Sequence, residues 1–161
     1  MRTIIMNKIL FIAFTLLSGA VSAQTTSSRS LTLDAAKKIV LEARKYAANI
    51  GAPHGGPSIA IVDRGGNLLF VERPELTFAG SAMVAFEKAH TAVMFEQPTQ
   101  NMENKIKEGR TPLITVGYVM LEGGVPILIN GEIVGAIGVS GAASSAQDVE
   151  IAFAGAKTKI D

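Results

Sequence analysis

Ser58-Ile-Ala-Ile-Val-Asp-Arg-Gly-Gly-Asn-Leu-Leu-Phe-Val-Glu72 is the stretch that decides the fold. Two runs rich in β-branched and apolar residues, 58–63 and 67–72, flank Arg64-Gly65-Gly66 and predict a tight β-hairpin. Asp63, at the end of the first run, is expected to close the turn with its side chain. A second hairpin is predicted where Val125-Pro-Ile-Leu-Ile129 and Glu132-Ile-Val-Gly-Ala-Ile-Gly-Val-Ser140 are parted by Asn130-Gly131, a dipeptide that tolerates the positive φ of a two-residue turn. Gly135 and Gly138, three apart in the last run, mark places where a helix or ligand approaches the backbone closely.

Working outward, Thr32 is placed to cap a helix whose apolar positions Ala35, Ile39, Val40, Ala43, Ala47 and Ile50 recur at three- and four-residue spacing. Gly51 and Pro53 end it. A second helical pattern runs from about Gly80 to Phe95, with Met83, Phe86, Ala89, His90, Val93 and Met94 on or near one stripe. A shorter helix follows Pro98, from Thr99 to Lys107. Arg110 to Glu122 has no clear pattern. Ser145 to Asp148 has the spacing of a capping box, and a terminal helix continues to Lys159. The order helix, hairpin, helix, helix, hairpin, helix predicts an α/β chain of the α+β type, a mainly antiparallel sheet with helices on its faces. The absence of an alternating βαβ run disfavours a Rossmann sheet.

The length of 161 residues suits one domain. With 48% hydrophobic and 18% charged residues, the chain is a globule rather than a disordered polyelectrolyte. Its 15 basic and 14 acidic residues are interspersed, so it lacks the dense basic field that nucleic-acid binding requires. At the N-terminus, Arg2 and Lys8 precede the apolar run Ile9 to Leu17, and Ser18-Gly-Ala-Val-Ser-Ala23 supplies small residues at a cleavage site. That is the layout of an export signal. Nine strongly apolar residues are too few for a membrane span, which takes roughly 20. The expected organisation is a signal peptide at 1–23, a polar tether at 24–30 and a folded domain at 31–161. The mature chain is expected to be periplasmic or secreted and free of the membrane.

No cysteine is present, which excludes disulfides, Cys-ligated zinc, iron–sulfur clusters and cysteine nucleophiles. His54 and His90 are the only imidazoles. His54 lies on a glycine-flanked loop, Ala52-Pro-His-Gly-Gly-Pro57, from which it could swing onto a ligand. His90 and Thr91 are neighbours on a helix and point about 100° apart, so they cannot form a bidentate site. Gly138-Val-Ser-Gly-Ala142 precedes a helix start, where free N–H groups could hold a carboxylate or phosphate. A serine-hydrolase reading lacks its Gly-x-Ser-x-Gly elbow, and Ser140 and Ser144 have no support as nucleophiles. Lys88, read from its own helix alone, belongs to a solvated face.

Three stretches together resemble the haem-binding and haem-degrading HbpS-like family, also called the GlcG family. They are Ile59-Ala-Ile-Val-Asp-Arg-Gly-Gly-Asn-Leu68, Lys88-Ala-His-Thr-Ala92 with Pro98-Thr99, and Gly123-Gly-Val-Pro126 through Asn130-Gly131 to Gly135-Ala-Ile-Gly-Val-Ser-Gly-Ala142. The likeness covers about Leu31 to Ile160 and ends with Asp148 and Ala152-Phe-Ala-Gly155. It implies a profilin-like shape, assembly into homo-oligomers, and haem as cofactor, with binding alone and oxidative haem breakdown both open. In the family a Thr of the Lys-Ala-x-Thr-Ala segment is associated with haem iron. That position is Thr91 here, with His90 as the neighbouring metal-ligand candidate. Lys88 or Arg73 would pair with the haem propionates, and His54 completes the candidate set. The alternative function is a non-catalytic accessory or sensor module for an organic acid or a corrinoid. The chain departs from the family pattern at Arg73-Pro74-Glu75-Leu76, where many relatives carry an Arg-Met-Asp-Gly-like turn, and at His54-Gly55-Gly56, which resembles an insertion.

Overall fold

The two hairpins merge into one four-stranded antiparallel sheet in a computed structural model that describes residues 28–160. The expected signal peptide and residues 24–27 of the tether lie outside the described residues. Strands β1 (Ser58–Asp63), β2 (Leu68–Glu72), β3 (Gly124–Ile129) and β4 (Glu132–Ser140) stand in the order β2-β1-β4-β3. The join is the antiparallel pairing of β1 with β4, in register from Ser58 opposite Ser140 to Asp63 opposite Gly135. Both turns form as their residues dictate. Asn130 and Gly131 take φ of 52° and 81°, the pair of positive values that matches the twist of the flanking strands. The Asp63 carboxylate accepts the Asn67 N–H at 2.8 Å.

Strand alternation distributes the helices. Ile59, Ile61, Ile137 and Val139 face helices α1 (Leu33–Asn49) and α4 (Ser145–Ala156), while Val62 and Ala136 face α2 (Ser81–Met94). Each fully buried isoleucine or valine contributes about 1.5–3 kcal/mol of transfer free energy, which makes the α1/α4 side the main core. Thr32 caps α1, accepting the Ala35 N–H at 3.2 Å. The last residues of the tether are held: the Arg29 N–H donates to Glu132 and Ser30 Oγ accepts the Arg64 N–H, both at 3.2 Å. A short helix α3 (Thr99–Lys107) and a 3₁₀ turn (Thr111–Val116) occupy the segment between α2 and β3.

Three expectations need correction. The sheet-facing side of α2 is Ser81, Ala85, Lys88, Ala89 and Ala92, whereas Met83 and Met94 of the expected stripe are 63% and 42% exposed. The reason lies in β4, where a Cβ on Gly138 would stand 2.0 Å from the Ala85 carbonyl oxygen. A helix lying that close to bare backbone can turn only small side chains toward it. In α4 the cap is Ser144, whose hydroxyl accepts the Gln147 N–H at 3.1 Å, so the capping-box reading of Ser145 and Asp148 fails. Asp148 is turned inward, and α4 ends at Ala156 rather than Lys159.

Candidate functional site

The Lys88-Ala-His-Thr-Ala92 segment is the middle of α2, and its helical geometry sends its polar side chains in three directions. Lys88 is buried, contrary to its solvated reading. Its Nζ donates to Asp148 Oδ2 at 3.0 Å and to the Val139 carbonyl at 2.9 Å. Both side chains of this ion pair are nearly closed to solvent, 4% and 7% exposed. The pair ties α2 to the start of α4 across the end of β4. Burial pushes the Asp148 carboxyl above the ordinary carboxylate range, against the pull of the Lys88 ammonium and the N–H groups of Ala142 and Gly141.

That arrangement also explains the glycine-rich loop after β4. The N–H of Ala142 donates to Asp148 Oδ1 at 3.0 Å and the N–H of Ala143 to Gln147 Oε1 at 2.9 Å. The carboxylate held by this loop is thus the protein's own. Gly123 packs under the same pair, since a Cβ there would meet Lys88 Nζ at 3.0 Å and the Val139 carbonyl at 2.8 Å. Sequence reasoning missed Asp148 as a partner. Its signal was a lone acid in the first turn of a helix otherwise apolar on its inner side.

His90 and Thr91 diverge as the 100° step requires. The His90 imidazole, 29% exposed, is wedged between three groups. Phe86 stacks on it with ring centroids 5.8 Å apart, Tyr118 tilts against it at 5.4 Å, and the β1–β2 turn touches it at Gly66. Its Nδ1 is 4.0 Å from the Glu87 carboxylate. Thr91 is fully buried, and its hydroxyl has no hydrogen-bond partner. An unpaired buried hydroxyl costs about 1–3 kcal/mol, so this group is a donor and acceptor held in reserve inside a helix.

Tyr118 belongs to the segment without pattern. That segment buries almost nothing, with Met120 its first buried residue after Met102. It is pinned at its base by Glu103, whose carboxylate accepts from Lys107 and from the Glu122 N–H. Burial tends to raise the Glu103 pKa, but these donors outweigh it and hold the carboxyl below the usual range.

The remaining candidates lie elsewhere. Arg73 follows β2 and spends its guanidinium on its own loop, with Nη1 donating to the Thr77 carbonyl at 2.5 Å and to the Pro74 carbonyl at 3.2 Å. His54 is exposed on the loop before β1, with a left-handed φ of 59°. His90 sits at the opposite end of β1, a six-residue strand of roughly 20 Å at 3.3 Å per residue. Lys88, His90 and Thr91 therefore share one stretch of α2, while Arg73 and His54 gather at the far end of the β1–β2 hairpin from His90. Among the described residues, no group of three His, Cys, Asp or Glu side chains is placed to hold a bare metal ion. Clefts of about 590, 440 and 410 Å³ are lined by neither Thr91 nor His90.

A family model described as haem degrading protein HbpS-like matches residues 31–157. Protein GlcG of Escherichia coli K12 is 41% identical over 84 residues, 52% of this chain and 63% of GlcG, so the match spans slightly under two thirds of that relative. An uncharacterized 15.0 kDa protein from the dhaT–dhaS intergenic region of Citrobacter freundii is 32% identical over 117 residues, 70% of this chain and 80% of the relative. Among solved structures, a double mutant of Streptomyces reticuli HbpS is 36% identical with a TM-score of 0.74, covering 86% of this chain and 92% of that one. Klebsiella pneumoniae ORFY is 27% identical with a TM-score of 0.75, covering 83% and 92%.

Proposed function

The chain belongs to the haem degrading HbpS-like family, and on that premise we propose that it is an exported haem-binding protein whose Thr91 hydroxyl serves the iron. The observation that carries the reading is the buried, partnerless Thr91 Oγ1 at the position the family resemblance singles out. A neutral alcohol is a weak donor, so affinity must come from apolar burial and from contacts to the propionates. Haem held there would supply redox-active iron, and a weak neutral donor would favour oxidative breakdown over stable storage.

This chain's residues divide the remaining work. The Lys88–Asp148 pair fixes the middle of α2 and with it the rotation of Thr91 one turn on. Lys88 is committed to Asp148 and Val139, so the propionates fall to other cations. His90 stays on the rim of the site, oriented by Phe86 and Tyr118. Thr91 is fully buried, so haem would reach it only if the packing around α2 opens, and the segment from Arg110 to Leu121 is the part of the surface best suited to move. It buries little, and such segments open at low free-energy cost. Its Tyr118 lies against α2 at His90 and, edge-on at 5.1 Å, against Phe95 just after it.

Haem titration of the mature chain tests the proposal. The Soret band should shift with saturable stoichiometry, Thr91→Val should abolish or relocate that shift, and His90→Ala should weaken it less. Thr91→Val should also raise folding stability by about 1 kcal/mol, because it removes an unpaired buried hydroxyl at nearly constant volume. No shift in the native chain, or one unchanged in both variants, overturns the reading. An organic acid or corrinoid found by mass spectrometry on protein purified from its native source would replace haem as the ligand.

A further inference from the structure

A second site lies along the open edge of the sheet. β3 pairs with β4 on one side only, and the chain after α4 folds back beside it to enclose a cleft of about 590 Å³. Its walls are apolar, formed chiefly by Val125, Leu128, Ile129, Ile133, Phe153 and Ile160. Its mouth is cationic. Lys157 and Lys159 are exposed on the rim, and neither is in an ion pair among the described residues. Between them, the Thr158 hydroxyl is buried without a hydrogen-bond partner. The acid on the lining, Glu96, is already bonded to Arg64 at 2.8 Å.

We propose that this cleft binds a metal-free amphiphile with an aliphatic body and one carboxylate, of the acyl-chain monocarboxylate class. The chain lies against the apolar walls, the carboxylate sits at Lys157 and Lys159, and the Thr158 hydroxyl donates to it. A mostly apolar cleft with a small number of polar groups is the usual form of a small-molecule site. Neither Thr91 nor His90 lines this cleft. The site is therefore independent of Thr91 and stands or falls separately from it.

Calorimetric titration of the mature chain with dodecanoate, and with dodecyltrimethylammonium as the same tail bearing the opposite charge, tests this. Dodecanoate should bind with one-to-one stoichiometry below its micellar concentration, and the cation at least tenfold more weakly. The double variant K157E/K159E should weaken dodecanoate by about tenfold, as expected when two exposed charge contacts turn repulsive. Leu128→Asp, at a wall position that is 55% exposed and so tolerates a charge without unfolding, should abolish binding while leaving the thermal midpoint unchanged. No dodecanoate binding, equal binding of the two amphiphiles, or indifference to K157E/K159E overturns the proposal. Mole-for-mole displacement of dodecanoate by haem would reassign the cleft to the tetrapyrrole. A dimer that dissociates in Leu128→Asp and excludes dodecanoate would reassign it to a second copy of the chain.

Discussion

Replacing Lys88 by Met asks how much of the architecture hangs on one buried ion pair. Methionine keeps the length of the stem and most of its packing, so the change removes the ammonium and its two hydrogen bonds, 3.0 Å to Asp148 and 2.9 Å to the Val139 carbonyl. Breaking a buried pair from one side costs about 3–5 kcal/mol, because the surviving charge is stranded. Asp148 keeps the Ala142 N–H at 3.0 Å, which puts the expected loss near the lower end, about 3 kcal/mol. The loss should depend on pH. Burial already raises the Asp148 carboxyl above its ordinary range, and without Lys88 it rises further. Between the ordinary aspartate value and that raised value, the folded variant holds a proton that the unfolded chain has released. Its stability therefore falls as pH rises, by up to about 1.4 kcal/mol per pH unit. Urea unfolding followed by far-ultraviolet circular dichroism, at several pH values between mildly acidic and neutral, measures both quantities. The deficit against the unaltered chain should be largest near neutrality and shrink on acidification. K88M/D148L, which strands no charge, should recover most of it. A loss below about 1 kcal/mol, or one constant across pH, would refute the claim that the pair is buried and charged.

Two further outcomes follow from the packing. Gly138→Ala places a Cβ 2.0 Å from the Ala85 carbonyl oxygen and 2.6 Å from the Ala89 nitrogen. Both are backbone atoms that cannot swing aside, so α2 must lift, at a cost of about 2–3 kcal/mol in urea unfolding. Glu103→Gln should lower thermal stability near neutral pH by less than about 1 kcal/mol, because one of its partners, Lys107, is solvent-exposed. Glu103 titrates below its ordinary range when folded, so its contribution is present above the unfolded pKa and fades as pH falls through the folded one. The unfolding midpoints of the two proteins should therefore converge in acid.

The family and the helical setting of the candidate segment were legible in the residues because they depend on local chemistry. Lys88-Ala-His-Thr-Ala92 could be placed on a helix, and the divergence of His90 from Thr91 follows from helical pitch. The burial of Lys88 was not legible, since its partner lies 60 residues away on another helix. The inner face of α2 was misassigned for a related reason. Hydrophobicity selected Met83 and Met94, whereas the sheet admits only what the bare backbone at Gly138 leaves room for. Tyr118 and the cleft beside β3 carried no pattern, because neither belongs to a single periodic element.

What the residues determined by themselves was the order of the α-helices and strands, two reversals and one cap: the strands from their β-branched runs, the turns from Asn130-Gly131 and Asp63 through Asn67, the start of α1 from Thr32. These are questions of backbone sterics and hydrogen bonds spanning a few positions. Only the tertiary structure decided which groups are sealed from water and with whom, leaving Lys88 paired, Thr91 Oγ1 alone and Lys157 and Lys159 on the lip of an apolar trough. Desolvation is a property of the space that several distant segments enclose together, and no one segment carries it.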